Sequence, residues 1–299
     1  MTKEEFRELT KDGPLILDGA TGSNLLKMGM PRGIATELWV YDHPEVMAKL
    51  QSAYIAAGSR VIYAPTFMAN RISLSDQHFQ GQALTDKVRK LILTAVQRSK
   101  ETAGERAFVA GDIGGTGRFM EPNGPLTYED LFDCYAEAIG YMKEAGADLL
   151  VAETMLSLEE VLVVVDAAAA AAPDLPLVTT LTCQSDGGLF FGGNIYEACE
   201  ALAETGADAV GCNCSVGPDQ LEAVVRTISS KVDVPVVAKP NAGMPEITDT
   251  GEAIYSMDPE AFGQSMLGLK AAGARLLGGC CGTDPDYIRS LTEKLAAEK

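Results

Sequence analysis

The chain has 299 residues, 46% of them hydrophobic and 22% charged, so it can bury a large core and lies outside the composition of disordered chains. That length suits two domains of roughly 150 residues or one α/β barrel of about 250. Lys and Arg number 24 against 42 Asp and Glu, a net charge of −18, which repels phosphate backbones and anionic membrane surfaces and argues against both as partners. Residues Met1 to Gly13 contain no apolar h-region, and the longest apolar stretch, Val161 to Ala172, is short and interrupted by Asp166; the expectation is a soluble, cytoplasmic chain. Seven cysteines, an odd number, with no export signal point to reduced thiols rather than a disulfide framework.

Taken in chain order, eight apolar runs read as strands: Leu15–Gly19, Arg60–Phe67, Ala107–Gly114, Asp148–Thr154, Leu177–Cys183, Ala209–Ser215, Pro235–Asn241 and Ala274–Gly282. They are continuous rather than alternating, as parallel strands covered on both faces require. A short phrase marks several entries into them: Ala57-Gly58-Ser59, Ala145-Gly146-Ala147, Thr205-Gly206-Ala207 and Ala272-Gly273-Ala274. Each follows an amphipathic segment, as when a left-handed glycine closes a helix. Between the runs, Glu45 to Ala57 puts Val46, Met47, Leu50, Ala53, Tyr54 and Ala57 on one helical face. Thr127 with Asp130 and Ser157 with Glu160 resemble capping boxes, and Pro218, Pro259 and Pro285 suit first helical turns. Eight strands alternating with helices predict one domain over residues 1–299, a (β/α)8 TIM barrel. An open doubly wound sheet would want a glycine-rich phosphate loop after the first strand, and Asp18-Gly-Ala-Thr-Gly-Ser23 does not read that way.

Function in such a barrel belongs to the C-terminal strand ends. Those ends carry Asp18, Thr66, Asp112, Glu153 with Thr154, Cys183, Asn213 with Cys214, Lys239 with Asn241, and Cys280 with Cys281. Cysteines from the sixth and eighth strands would meet on one rim, and three thiolates with an open fourth position suit a tetrahedral zinc. Adjacent residues of a regular strand face opposite ways, so Cys280 and Cys281 can share a metal only if the strand breaks, which Gly278, Gly279 and Gly282 permit. Cys134 and Cys199 read as helix packing, Cys183 is open between roles, and Cys212 reads as barrel interior. Unreactive buried thiols are the alternative for all of them.

Asp18 and Glu153 form a rim pair suited to general acid and base work, to a divalent metal or to a substrate ammonium group, or they simply begin exposed loops. The Asp18 to Gly22 segment can offer backbone N–H groups to a carboxylate. With only His43 and His78, both away from strand ends, a histidine triad is disfavoured. Lys239 offers a rival chemistry, a Schiff base with a carbonyl substrate.

Leu17-Asp-Gly-Ala-Thr-Gly22, Ala152-Glu-Thr154, Gly211-Cys-Asn-Cys-Ser215, Lys239-Pro-Asn-Ala-Gly243 and Gly278-Gly-Cys-Cys-Gly282 resemble, in order and spacing, the homocysteine S-methyltransferase domain family, over about residues 10 to 295. The resemblance implies a (β/α)8 barrel with zinc (Zn²⁺) on Cys214, Cys280 and Cys281, and homocysteine methylated at sulfur to give methionine. It further implies Asp18 and Glu153 for the substrate ammonium, Gly19, Ala20 and Thr21 for its carboxylate, Asn213 within the substrate-binding set, and Asn241 where relatives offer an oxygen to zinc. Lys-Pro-Asn-Ala-Gly-Met-Pro is most similar to the cobalamin-dependent branch, which implies methylcobalamin on a separate corrinoid protein docking over the rim. An S-methylmethionine or betaine donor, another small thiol as acceptor, or a non-catalytic zinc- or thiol-binding subunit are the alternatives.

Overall fold

The computed structural model describes residues 1–75, 80–248 and 253–298. Among these, helices and strands follow in the order α1 (Lys3–Lys11), β1 (Leu15–Ile16), α2 (Gly22–Lys27), α3 (Thr36–Asp42), α4 (Pro44–Ala57), β2 (Val61–Tyr63), α5 (Arg71–Leu74), α6 (Gly81–Ala103), β3 (Phe108–Ile113), α7 (Tyr128–Glu144) and β4 (Leu149–Met155). The second half continues with α8 (Leu158–Ala171), β5 (Leu177–Leu181), α9 (Ile195–Thr205), β6 (Ala209–Asn213), α10 (Glu222–Ser229), β7 (Val236–Lys239), a hairpin of β8 (Pro245–Ile247) and β9 (Ala253–Tyr255), α11 (Pro259–Ala271), β10 (Ala274–Leu277) and α12 (Pro285–Ala297).

Eight parallel strands form one sheet in the order β1-β10-β7-β6-β5-β4-β3-β2. No ladder joins β1 to β2, and isolated bonds close that seam instead. The Arg60 N–H donates to Ile16 O at 2.8 Å, the Ser59 hydroxyl to Leu17 O at 3.1 Å, and the Tyr63 N–H to the Asp18 carboxylate at 2.8 Å. The result is the (β/α)8 barrel expected from the sequence, nearly closed. Its interior holds Leu15, Leu17, Val61, Ala110, Leu149, Val151, Val178, Ala209, Val237 and Leu276, while the intervening strand residues face outward into the larger core shared with the helices. Continuous apolar runs thus bury both faces.

The glycine phrases close helices as expected: Gly58, Gly146, Gly206 and Gly273 all have positive φ, between 89° and 119°. Thr127 and Asp130 form a full capping box. Ser157 and Glu160 form only half of one, because the Glu160 carboxylate accepts instead from the Thr116 N–H and hydroxyl and from the Tyr135 hydroxyl. Seven of the eight barrel strands end earlier than their apolar runs, the eighth at Leu277 rather than Gly282, while β4 runs one residue past its expected end, to Met155. Beyond the sequence expectation are α1, whose Thr2–Glu5 capping box starts it and whose Phe6 plugs the N-terminal mouth of the barrel, the short helices α2, α3 and α5, and the β8–β9 hairpin. Among the described residues no helix is long and apolar enough to cross a membrane.

Candidate active site and metal centre

The thiols meet because two segments, one after β6 and one after β10, leave regular geometry. Strand alternation would put Cys214 on the same face as Cys212, which packs outward among the helix-facing core beside Cys183. Instead β6 stops at Asn213, and Cys214 and Ser215 take positive φ of 64° and 66°, swinging the Cys214 thiol to the barrel mouth. Such a conformation is uncommon outside glycine and is kept only where its surroundings over-determine it. Here the Cys214 N–H donates to Lys239 O at 3.1 Å and the Val216 N–H to Cys214 O at 2.8 Å. On the opposite side β10 ends, the Cys280 N–H donates to Pro240 O at 2.7 Å, the Ala242 N–H to Cys281 O at 3.0 Å, and Gly282 turns with φ 84°. The sulfurs of Cys214, Cys280 and Cys281 all lie within 4.8 Å of one another, with Cys214 Sγ and Cys281 Sγ at 3.9 Å. Hydrogen bonds from Cys214 and Cys280, aided by the Tyr255 hydroxyl, hold Cys281 down to about 3, and hydrogen bonding to Cys280 and Cys281 pushes Cys214 far above the usual thiol range.

A second cluster sits beside the first. Lys239 is buried, with Nζ at 3.5 Å from Asp18 Oδ1, 3.4 Å from Glu153 Oε2 and 4.3 Å from the centre of the Tyr63 ring. Burial alone would lower its pKa, but Glu153 and Asp18 outweigh it, and the amine stays an ammonium well above its ordinary value. A lysine locked in that state is a poor Schiff-base nucleophile. Burial pushes Asp18 up to about 6 despite Lys239, and raises Glu153 and, by more, Asp112. These groups and the thiols border a cavity of about 570 Å³, lined among others by Gly19, Ala20, Thr21, Tyr63, Asp112, Glu153, Lys239, Cys214, Cys280 and Cys281.

Of the residues singled out in the sequence, the three cysteines, Glu153 and the Gly19 to Thr21 loop line this cavity. Asp18 does not: one oxygen is spent on the Tyr63 N–H and the other faces Lys239, so the carboxylate lies behind the wall. Asn213 is also behind it. Its Oδ1 accepts from the Thr154 N–H at 2.8 Å and the Thr180 hydroxyl at 2.9 Å, and its Nδ2 donates to Thr154 Oγ1 at 2.8 Å and to Cys280 Sγ at 3.8 Å. That clamp holds Thr154 at φ 58° and braces one thiol. Asn241 is buried off the cavity with Oδ1 unpartnered, and the Ala20 N–H is taken by Thr283 Oγ1 at 3.2 Å, so the loop's remaining donors are those opening α2. Cys212 belongs to the outer face, not the interior, because β6 alternates regularly up to Asn213. Cys134 and Cys199 are buried on α7 and α9. His43 stacks on Trp39, away from the cavity, and His78 lies outside the described residues. Asp112, named in the sequence only for its place at a strand end, also borders the cavity; residues given no place in the site from sequence are Glu37 on the same wall, Tyr63, Thr283 and Tyr255. Only Asp112 had a signal, its place at a strand end.

The donor set fits a zinc ion, since three sulfurs bound at about 2.3 Å around a tetrahedral centre lie about 3.8 Å apart, close to the 3.9 Å seen between Cys214 and Cys281. The fold and site thus define a (β/α)8 barrel with a cluster of three thiols, spaced as a metal would need them, at its C-terminal mouth. A family model described as homocysteine S-methyltransferase matches residues 15–295. The chain belongs to the homocysteine S-methyltransferase family. Among curated proteins it is similar to the methionine synthases of Mycobacterium leprae and Mycobacterium tuberculosis, 29% and 28% identical, each match covering 94% of this chain and 24% of that protein. The chain therefore spans about a quarter of the length of those relatives. Among solved structures it superimposes on the homocysteine methyltransferase MmuM from Escherichia coli in its oxidized form, TM-score 0.79, 22% identical, covering 97% of this chain and 98% of that one. The metallated form gives 0.78 at 21%, covering 96% and 98%. These likenesses establish the shared fold.

Proposed function

We propose that this barrel methylates the thiol of homocysteine to give methionine, with a zinc ion held by Cys214, Cys280 and Cys281. The observation that carries the reading is the convergence of those three sulfurs, within 4.8 Å, on a cavity that also presents a carboxylate and a helix-opening loop. A zinc ion there supplies Lewis acidity that keeps a substrate thiol deprotonated at neutral pH. The chain's own residues do the positioning. Glu153 offers its carboxylate to the α-ammonium, with Asp18 acting from behind through Lys239, and the α2-opening N–H groups of Thr21 and Gly22 suit the α-carboxylate. Held at both ends, the amino acid extends its sulfur toward the thiol cradle, where it attacks a methyl carbon; the new S–C bond forms as the bond from methyl to donor breaks.

For the donor, the reading is a methylated corrinoid presented by a separate protein. It is supported by the Lys239 to Pro245 segment and by the methionine synthase relatives. The test is to mix the zinc-loaded protein and homocysteine with methylcobalamin, S-methylmethionine or betaine in turn and measure methionine. Turnover with methylcobalamin supports the whole reading, turnover with only betaine or S-methylmethionine overturns the donor, and no methionine from any of the three overturns the function.

A further inference from the structure

Across the chain 24 Lys and Arg stand against 42 Asp and Glu, yet one cleft on the N-terminal rim of the barrel reverses that balance. It has a volume of about 410 Å³ and is bordered by three cations, Arg7, Lys11 and Arg275, with one acid, Asp233. On α1, Arg7, Thr10 and Lys11 lie three and four residues apart and so share one face, and Phe6, buried in the barrel mouth, anchors that helix against the strand starts. Arg275 arrives through an irregularity. The ladder from β10 to β7 passes from Ala274 opposite Val236 to Leu276 opposite Val237, so β10 uses two residues where β7 uses one. A bulge leaves its extra residue out of the ladder and re-aims its side chain. Arg275 is exposed although the rest of β10 is buried, and among the described residues its guanidinium makes no ion pair or hydrogen bond.

Its two companions are lightly held. The Arg7 guanidinium lies 3.7 Å from Asp208, which already takes Lys3 at 2.9 Å, and Lys11 pairs with Glu8 one turn back along exposed α1. Exposed pairs of this kind contribute little, so both cations can turn to a ligand at small cost. Three like charges around one cleft repel one another, and an anion entering it removes that repulsion. We infer that this cleft is a second ligand site, for a small anion carrying a phosphoryl group. Three cations less the Asp233 carboxylate leave a surplus of two charges, which matches a phosphate dianion. The guanidinium forks of Arg7 and Arg275 suit pairs of phosphate oxygens, Lys11 adds a point charge, and the Ser229 hydroxyl borders the same space. An anion held there ties α1 to β10, the strand that leads on to Cys280 and Cys281 at the opposite end of the barrel.

The test is calorimetry and thermal unfolding of the full zinc-loaded chain with inorganic phosphate and with AMP, a phosphate monoester, against sodium chloride at matched ionic strength. One or both phosphates are expected to bind with a dissociation constant of about 1 mM or below and to raise the melting temperature, as a ligand of the folded state does, whereas chloride does neither. Tighter binding of AMP assigns the site to a phosphate ester, and equal or tighter binding of phosphate assigns it to the free anion. Arg275→Gln should weaken binding roughly 10- to 100-fold, and Asp233→Asn, which removes the one opposing charge, should tighten it about 2- to 5-fold. Both side chains are exposed, so neither variant should change zinc content or the melting temperature without ligand. A wild type that binds neither phosphate, one that responds to chloride as to phosphate, or an Arg275→Gln variant that binds as tightly as the wild type overturns the inference. Should Arg275→Gln fold poorly, Asp233→Asn still decides, because binding that it weakens or leaves unchanged overturns the charge assignment.

Discussion

At the N-terminal end of the barrel the carboxylates, buried Asp208 and half-buried Asp148, are fully used. Asp208 pairs with Lys3 at 2.9 Å and Arg7 at 3.7 Å and accepts from the Leu177 N–H at 3.0 Å, while Asp148 takes Lys100 at 2.7 Å and the Val109 N–H at 2.7 Å. At the C-terminal end, Asp18 Oδ1, Glu37 Oε2, Asp112 Oδ1, Thr182 Oγ1 and Asn241 Oδ1 are all buried without a hydrogen bond. The same end holds, among the described residues, those other than glycine with positive φ: Thr154, Cys214 and Ser215. Both ends are built from the same strands, so the difference is not one of fold. Among buried groups, one end is satisfied by its own partners and stabilises; the other keeps unspent polar capacity and backbone strain, which is what a reacting end requires.

The strongest way to break that comparison is to exchange its roles. Replacing Cys214, Cys280 or Cys281 by Ala should abolish the expected zinc, about one per chain by metal analysis, and cut methionine formation by more than about 100-fold, since removing even outer partners of a metal ligand costs 10- to 100-fold. The melting temperature of the metal-free protein should hardly move. Phe6→Ala, at the satisfied end, should do the opposite. Phe6 is fully buried, so its loss should cost about 3–5 kcal/mol in urea unfolding while zinc content stays at that of the wild type. A cysteine variant that unfolds the barrel, or a Phe6 variant that loses its metal, would show that the two ends do not divide the work.

How much of this division the sequence carries depends on the range of the interaction involved. The strands and the glycine-closed helices are local, and Ala209 to Ser215 reads as a buried strand from consecutive residues, of which Ala209–Asn213 form β6. The break between Cys280 and Cys281 is legible because glycines flank it. The turn at Cys214 is not, because nothing about a cysteine followed by a serine announces φ near 64°; the conformation is imposed by the Lys239 carbonyl, distant in the chain. Asp18 and Asp112 look alike as acids at strand ends. What separates them is whether a backbone N–H from another strand, that of Tyr63, has already claimed an oxygen. The α1 helix carries a Thr-x-x-Glu signature at Thr2, but its function as a plug depends on where Phe6 lands across the whole barrel.

Asp18 sharpens the comparison through pH. Its folded pKa is about 6 against an ordinary 3.8, so the folded state binds the proton more tightly. Stability from this group is fully present below 3.8 and is lost as pH rises through 6, a change of about 3 kcal/mol at about 1.4 kcal/mol per pH unit. Urea unfolding of wild type and Asp18→Asn at pH 4 and pH 7 should show the wild type losing most of that amount, about 2 kcal/mol, relative to the variant, since the unfolded group is already partly ionised at pH 4. A difference that is flat with pH would mean that Lys239 fully compensates the buried charge.

The finest test concerns a residue that belongs to neither category, Asn213. It does not line the cavity at the barrel mouth, yet its amide links a strained backbone, Thr154, to a thiol of the cradle, Cys280. Asn213→Ala leaves the Thr154 N–H and the Thr180 hydroxyl without their acceptor, so unfolding free energy should fall by about 1–3 kcal/mol. Thr154 should then relax from φ 58° toward the β region, and the cradle should open. Zinc affinity, measured by competition with a chelator, should drop about 10- to 100-fold, the range for outer partners of metal ligands. Asn213→Asp separates the two effects. It keeps both acceptor bonds but replaces the Nδ2 donor to Cys280 with a second carboxylate oxygen, so zinc affinity should fall while Thr154 stays in place. If both variants lose stability and neither loses zinc affinity, Asn213 serves only the strand ends, and the strain at Thr154 has no part in shaping the cradle.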